Sequence, residues 1–141
     1  MTSGQARERF ARQRIARLAT VGASGRPHLV PVVFALSGDT LAFAVDHKPK
    51  RSERLRRLEN IRANPSVCVL ADAYDEDWDR LWWVRADGTA RVLPPPDDSA
   101  AAAGYVRLLT EKYREQYAGR APRGQVVEIE VGRWSGWQAA R

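Results

Sequence analysis

The sequence predicts a mainly β fold, an antiparallel barrel with helices at its periphery. Three observations carry that reading. The elements run in the order helix, three strands, helix, two or three strands, helix, strand. The early strands are joined by short turns, Ala23-Ser-Gly-Arg26 and Ser37-Gly-Asp39, which suit hairpins. No regular alternation of strand and helix occurs, so a doubly wound parallel sheet is not expected.

In chain order, Gln5 to Arg17 suits a short helix, with Phe10, Ile15 and Leu18 apolar around its end. Leu18 to Gly22 reads as a strand. His28 to Leu36 is the clearest strand: His28, Val30, Val32, Phe34 and Leu36 share one side, and Leu29, Pro31, Val33 and Ala35 the other. Both sides are largely apolar, so the strand is expected to be covered twice, by the core and by something else. Thr40 to Asp46 follows, with Leu41, Phe43 and Val45 opposite the small Ala42 and Ala44. Lys50 to Asn64 suits a helix that Asn64-Pro65 stops. Val67 to Asp72 is a strand, Ala73 to Asp79 an acidic loop, and Arg80 to Leu93 a long β segment interrupted at Asp87-Gly88 by a turn or a bulge. After the stiff Pro94-Pro-Pro-Asp-Asp98 stretch, a helix runs to about Tyr117. Gln125 to Val131 is the last strand, and Gly132 to Trp137 closes the chain.

The 141 residues fit one domain, 1–141. Hydrophobic residues make up 44% and charged residues 28%, a mix that excludes wholesale disorder. No apolar run approaches the ~20 residues that span a bilayer, so no membrane partner is expected. The polar, basic N-terminus lacks the apolar stretch of a secretory signal. One cysteine, Cys68, and two histidines, His28 and His47, neither form a disulfide scaffold nor supply a Cys/His metal cluster. Cys68 lies in an apolar strand and reads as a small hydrophobe rather than a nucleophile. The expected setting is cytoplasmic and reducing.

The net charge of +6 is unevenly spread. Between Lys48 and Arg62 there are seven bases (Lys48, Lys50, Arg51, Arg54, Arg56, Arg57, Arg62) and two acids, a net +5; between Asp72 and Asp79 there are five acids and no base, a net −5. On a helical wheel at ~100° per residue, Lys50, Arg54, Arg57 and Ile61 form one stripe beside the apolar Leu55, Leu58 and Ile61, while Arg56 lies on the far side. Bases at the rim of a buried face line the edge of a cleft. Crowding cations at a helix N-terminus is locally unfavourable, and a bound phosphate reverses the sign. Two other readings stand beside this phosphate site. The helix is a solvated face offset by the acidic loop, within the chain or across a dimer, or it binds nucleic acid non-specifically. The absence of aromatics between Lys48 and Arg62 argues against nucleic acid.

Five stretches together resemble a known family: Arg17-Leu-Ala-Thr-Val-Gly22 with Gly25-Arg-Pro-His28; Pro31-Val-Val-Phe34; Asp46-His-Lys-Pro-Lys50 with Asn60-Ile-Arg-Ala-Asn-Pro65; the run from Tyr74 to Arg85, Tyr-Asp-Glu-Asp-Trp-Asp-Arg-Leu-Trp-Trp-Val-Arg; and Arg133-Trp-Ser-Gly-Trp137. The chain resembles the pyridoxamine 5′-phosphate oxidase-like split β-barrel proteins, and most closely their coenzyme F420-dependent branch. The resemblance implies a six-stranded antiparallel split β-barrel of the FMN-binding type, a homodimer, and two cofactors in clefts between subunits. It implies a deazaflavin cofactor, coenzyme F420, with FMN as the alternative, and hydride transfer to an electron-poor conjugated small molecule. The implied ring lies along Pro31 and Val32, with Trp83 bordering it, and the implied phosphate lies among Lys48, Lys50, Arg51, Arg54 and Arg57. The polyglutamate tail of that coenzyme suits the surplus arginines. Glu59 stands where many relatives carry a base before the Asn-Leu pair, here Asn60-Ile61. No catalytic side chain is named, because the cofactor carries the chemistry. An FMN oxidase or reductase and a non-catalytic cofactor or tetrapyrrole carrier are the alternative functions.

Overall fold

In a computed structural model, residues 1–45 and 52–140 are described, with the backbone alone given for 52–55. The sheet contains seven strands: β1 (Ala16–Val21), β2 (Pro27–Val32), β3 (Ala35–Ser37), β4 (Thr40–Ala44), β5 (Ser66–Ala73), β6 (Trp82–Leu93) and β7 (Val126–Gln138). Their order is β2-β1-β5-β6-β7-β4-β3, and every pairing is antiparallel. The two edge strands, β2 and β3, are consecutive in sequence and only Val33 and Phe34 lie between them. Edges so close along the chain force the sheet to curl round and bring β2 and β3 near each other without pairing, which makes a split barrel. The single strand expected over His28 to Leu36 is thus one bent segment serving both edges as β2 and β3, and the expected six strands become seven.

The inward side of each strand forms the core, with Leu18, Val32, Leu41, Phe43, Val69, Val84, Val127 and Ile129 buried. Helix α1 (Ser3–Ala11) packs on β6 and β7. Its Phe10 sits 5.0 Å from the Phe34 ring and 5.4 Å from Trp134, and so plugs one region of the barrel. Thr2 and Gln5 close a reciprocal capping box at its start. The helix ends at Ala11 rather than continuing to Arg17. From Ala16 onward the chain pairs with β2 and β5, and these ladders override the helical propensity of the arginine-rich stretch. Helix α2 (Ser52–Ala63) packs on β1 and β6 through the buried Leu58 and Ile61.

The outward side of β4 and β7 is covered by α3 (Ala100–Lys112), which starts at the Ser99 cap. Small side chains at Ala42 and Ala44 let α3 approach, where they meet Ala102, Val106 and Tyr105. Glu128 on β7 then accepts hydrogen bonds from Tyr105 Oη at 2.6 Å and from Arg91 Nη2 at 2.7 Å. The Tyr105 hydroxyl, and then Arg91, hold the Glu128 carboxyl below its usual range against the opposing effect of burial. Burial, and then the bond to Glu128, push Tyr105 up to about 12.

Strand β7 runs to Gln138 instead of stopping at Val131. Asp87 pairs with Arg133 and Gly88 with Val131, so Gly132 is the extra residue of a bulge. The bulge shifts the inward phase from Val127, Ile129 and Val131 to Trp134, and this broken alternation hid the continuation. A Cβ at Gly88 would overlap the Glu130 carbonyl oxygen, so the close approach there requires glycine.

One side chain holds the place where β2 leaves the first edge and β3 starts the other. The Phe34 N–H donates to Tyr113 Oη at 3.2 Å, and that hydroxyl lies 2.9 Å from the Arg14 carbonyl and 3.1 Å from the Phe34 carbonyl. With a single proton, it shares its donation between the two. Beside it, Lys112 Nζ lies 3.7 Å from the centre of the Phe34 ring. Burial, and then the Arg14 guanidinium, lower the Lys112 ammonium to about 8.

Tyr113→Phe leaves the buried Phe34 N–H without its acceptor. It is expected to lower unfolding stability by about 1–3 kcal/mol in urea titration, with little change in m. Glu128 has a depressed pKa in the folded chain, so its contribution is present above the ordinary value of 4.5 and is lost as pH falls through the folded value. Glu128→Gln is therefore expected to lower Tm at pH 7, and the gap to the parent chain should close on acidification below about pH 4. A gap that persists at pH 2 would assign the loss to packing instead.

Candidate functional site

Strand β2 has a neighbour, β1, on one side only. Both of its prolines, Pro27 and Pro31, suit an edge, where a missing N–H costs no ladder bond. His28, Val30 and Val32 point inward. On the outward side Leu29 is 67% exposed, and Pro31 and Val33 are exposed with it. The chain itself covers β2 once, with its core, and leaves an apolar outer side open to the second cover that the sequence leads one to expect. Val32 is buried in the core, so of the two residues expected beneath a ring only Pro31 presents its side chain.

The register extends this outer side across the sheet. Leu29 lies beside Ala19, Cys68 and Asp87 in one row, and Pro31 beside Arg17, Leu70, Arg85 and Ser135 in the next. Trp83 and Trp137 face each other beyond them. Arg85 pairs with Asp87 at 3.1 Å, and Arg17 with Asp72 at 3.8 Å. Burial, and then Asp87, raise the Cys68 thiol, which keeps it protonated rather than nucleophilic. Trp82 and Trp83 fall on opposite sides, as their spacing predicts. Trp82 packs against the core beneath the Arg9 guanidinium, and Trp83 lies outside beside Arg85. Pro31 and Trp83 share this outer side, but β1 and β5 lie between their strands, which sets them roughly 14 Å apart. One ring cannot touch both within a single chain.

Helix α2 supplies the charge. Leu58 and Ile61 are buried, and Arg57 sits half-buried at their rim with its guanidinium carbon 5.7 Å from the Phe43 ring centre. That is the rim position the helical wheel predicts. Asn60 fixes how the helix lies. Its Nδ2 donates to the buried Thr20 Oγ1 at 3.1 Å, and its Oδ1 occupies the space that a Cβ at Gly22 would need. Lys48, Lys50, Arg51 and His47 lie outside the described residues, as does the side chain of Arg54.

Between α2 and the β1–β2 turn lies an open pocket of about 640 Å³. Arg26 and His28 from β2 and the preceding turn line it, together with Arg56, Glu59 and Asn60 from α2. The Nδ1 atom of His28 is buried and has no hydrogen-bond partner among the described residues. Sequence reasoning put Arg56 on the solvent side and gave Arg26 and His28 no role. A helical wheel shows which side of a helix is polar, but it does not show that a turn from another hairpin stands opposite. The only available signal was the pairing of Thr20 with His28, which faces His28 toward α2. No helix among the described residues is long and apolar enough to cross a membrane.

Several relatives share this architecture. A FAD-binding protein of Mesorhizobium loti superposes with a TM-score of 0.75 at 21% identity, covering 99% of this chain and 96% of the other. A conserved protein of Mycobacterium tuberculosis gives 0.74 at 21%, over 98% and 85% of the two chains. A heme storage protein of Vibrio cholerae gives 0.71 at 17%, over 98% and 95%. In sequence, the chain is 37% identical over 79 residues to a 5a,11a-dehydrotetracycline/5a,11a-dehydrooxytetracycline reductase of Streptomyces rimosus, covering 55% of this chain and 54% of that protein. The chain thus spans about half the length of the curated relative it matches. The profile of the pyridoxamine 5′-phosphate oxidase family matches residues 2–138. With the split barrel and its open β2 edge, a match over nearly the whole length makes this chain a member of the pyridoxamine 5′-phosphate oxidase family.

Proposed function

We propose that the chain is an oxidoreductase that acts as a homodimer and holds a phosphorylated deazaflavin, coenzyme F420, along the open edge of β2. The observation that carries this reading is the position of Arg57, a cation held at the rim of a buried helix face. The residues fit such a group. Pro31 and Leu29 offer an apolar surface to a flat ring, and the free edge of β2 offers backbone groups to its polar rim. Arg57, with the bases that precede it in sequence, offers charge to a phosphate. When bound, the reduced coenzyme supplies the hydride that an electron-poor conjugated small molecule accepts. The relative named as a dehydrotetracycline reductase supports that substrate class.

The protein's part is position and electrostatics. Phe43 restricts where the Arg57 guanidinium can go, so little side-chain freedom is lost when it meets an anion. The separation of Pro31 from Trp83 supports a cleft built by two copies, in which β2 of one protomer faces the tryptophan-bearing strand of its partner. The outward apolar side of β2 supports the same arrangement, because an exposed patch of this kind marks an association surface. A flavin reading stands second, favoured by the FAD-binding names of two solved relatives, from Mesorhizobium loti and Mycobacterium smegmatis.

Parallel titrations of the purified protein with coenzyme F420, FMN, FAD, haem and a short DNA duplex test the proposal. Tight deazaflavin binding is expected, and tighter FMN or FAD binding moves the assignment to the second reading. Haem or DNA binding without any flavin or deazaflavin overturns both. Arg57→Gln is expected to weaken coenzyme binding about tenfold to a hundredfold, the size of one charge-assisted hydrogen bond. Leu29→Arg places a charge in the outer side of β2, and sedimentation should then report a monomer that has also lost coenzyme binding. A parent chain that sediments as a monomer, or a monomeric variant that binds as before, removes the shared cleft.

A further inference from the structure

We propose that Lys112 is a carboxylation site, whose ε-amine takes up carbon dioxide as a carbamate that the Arg14 guanidinium holds. Of the 23 basic residues only three are lysines, Lys48, Lys50 and Lys112. A guanidinium keeps its proton at any ordinary pH, whereas an amine can lose it. In a chain that elsewhere uses arginine, Lys112 is thus one of the few bases able to act as a nucleophile.

The surroundings favour the uncharged amine. Lys112 closes α3 and is half-buried, so solvent still reaches it. Its Nζ lies 3.7 Å from the centre of the Phe34 ring and 5.2 Å from that of Tyr113. No carboxylate among the described residues pairs with it, and the charged group that acts on it is Arg14. The Tyr113 hydroxyl beside it is engaged by Phe34 and Arg14, and burial raises it, so it stays neutral. With the ammonium lowered to about 8 by burial and then Arg14, about half of the amine is free to react at pH 8.

The same surroundings suit the product. Arg14 Nη1 donates to the Lys112 carbonyl at 3.2 Å, and its guanidinium carbon lies 4.7 Å from the Tyr113 ring centre. Both head groups therefore gather around one ring. Two cations there repel each other, and a carbamate turns that repulsion into an ion pair. The step balances with carbon dioxide alone. The nitrogen lone pair forms an N–C bond, one C–O π pair moves onto oxygen, and the nitrogen releases a proton to solvent. Carbon dioxide is small and uncharged, which suits an amine packed against aromatic rings better than a bulky acyl donor. The exchange removes the cation from the Phe34 ring, so it acts at the bend between β2 and β3.

The test exposes the full chain to carbon-13 bicarbonate at pH 8 and reads protein-bound carbamate by NMR. The parent is expected to show a carbamate resonance that disappears in Lys112→Arg, which keeps a cation over Phe34 but cannot be carboxylated. Arg14→Gln should lower the occupancy about twofold to fivefold, the size of a charge pair at a part-exposed site. Alkylation of the labelled parent with an oxonium salt, followed by peptide mass spectrometry, should place the trapped group on Lys112 without recourse to any variant. A resonance that survives in Lys112→Arg belongs to the Met1 amine or to Lys48 and Lys50. A parent chain with no trapped group on Lys112 overturns the proposal. So does an occupancy unaffected by Arg14→Gln, because the guanidinium then does not hold the product.

Discussion

The Tyr113 hydroxyl stands at the one place where this barrel does not close on itself. Between Val32 and Ala35 the chain must leave one edge of the sheet and join the other, so Phe34 has no ladder partner there. A buried peptide group without a partner is costly. Tyr113 accepts the Phe34 N–H and shares its own proton between the Phe34 and Arg14 carbonyls. The end of α3 is thereby tied to the bend, and α1 is tied to the same point through Phe10 against Phe34. The Lys112 ammonium is held against the other aromatic surface there, at the expense of its ordinary basicity. An incomplete barrel is stable because the groups left over at the split are satisfied from outside the sheet.

The same split creates the candidate site. Because β2 turns away at Val33 instead of pairing onward, its second edge stays open and its outer side is not covered by a helix. On the opposite wall, α3 covers β4 and β7, and there the outward residues are small or engaged, like Ala42 and the Glu128 carboxylate. The two outer surfaces of one sheet thus differ in kind. One is finished by the chain itself, and the other presents Leu29, Pro31, Val33 and Trp137. The ion pairs Arg85 with Asp87 and Arg17 with Asp72 lie on the strands between β2 and Trp137, so this surface alternates exposed apolar side chains with paired charges.

Much of this was legible in the sequence wherever the pattern is local. The opposite sides of Trp82 and Trp83, the apolar outer side of β2 and the rim position of Arg57 all follow from a period of 2 or 3.6. The misreadings occur where a distant partner decides. The stretch from Arg12 to Arg17 has helical propensity, yet β2 and β5 claim it for pairing from Ala16. The last strand seemed to end at Val131 because one extra residue, Gly132, breaks its alternation. The pocket beside His28 was not legible, since Arg26 and Arg56 are 30 positions apart and only the hairpin brings them together.

The opposing blocks of charge raise the question of whether the acidic loop simply neutralises α2. The described ion pairs argue against that within one chain. Asp72 pairs with Arg17 on β1, and Asp75 with Arg80 in the loop itself, so these two acids are used on their own side of the sheet. The loop follows the far end of β5, whereas α2 ends just before its start, and eight strand residues put roughly 25 Å between the loop and Arg62 at the C-terminal end of that helix. At that separation exposed charges are largely screened at physiological salt. An anion at the rim of α2 meets the directed donors that an arginine offers, and Arg57 is the described base placed there, beside the Phe43 ring.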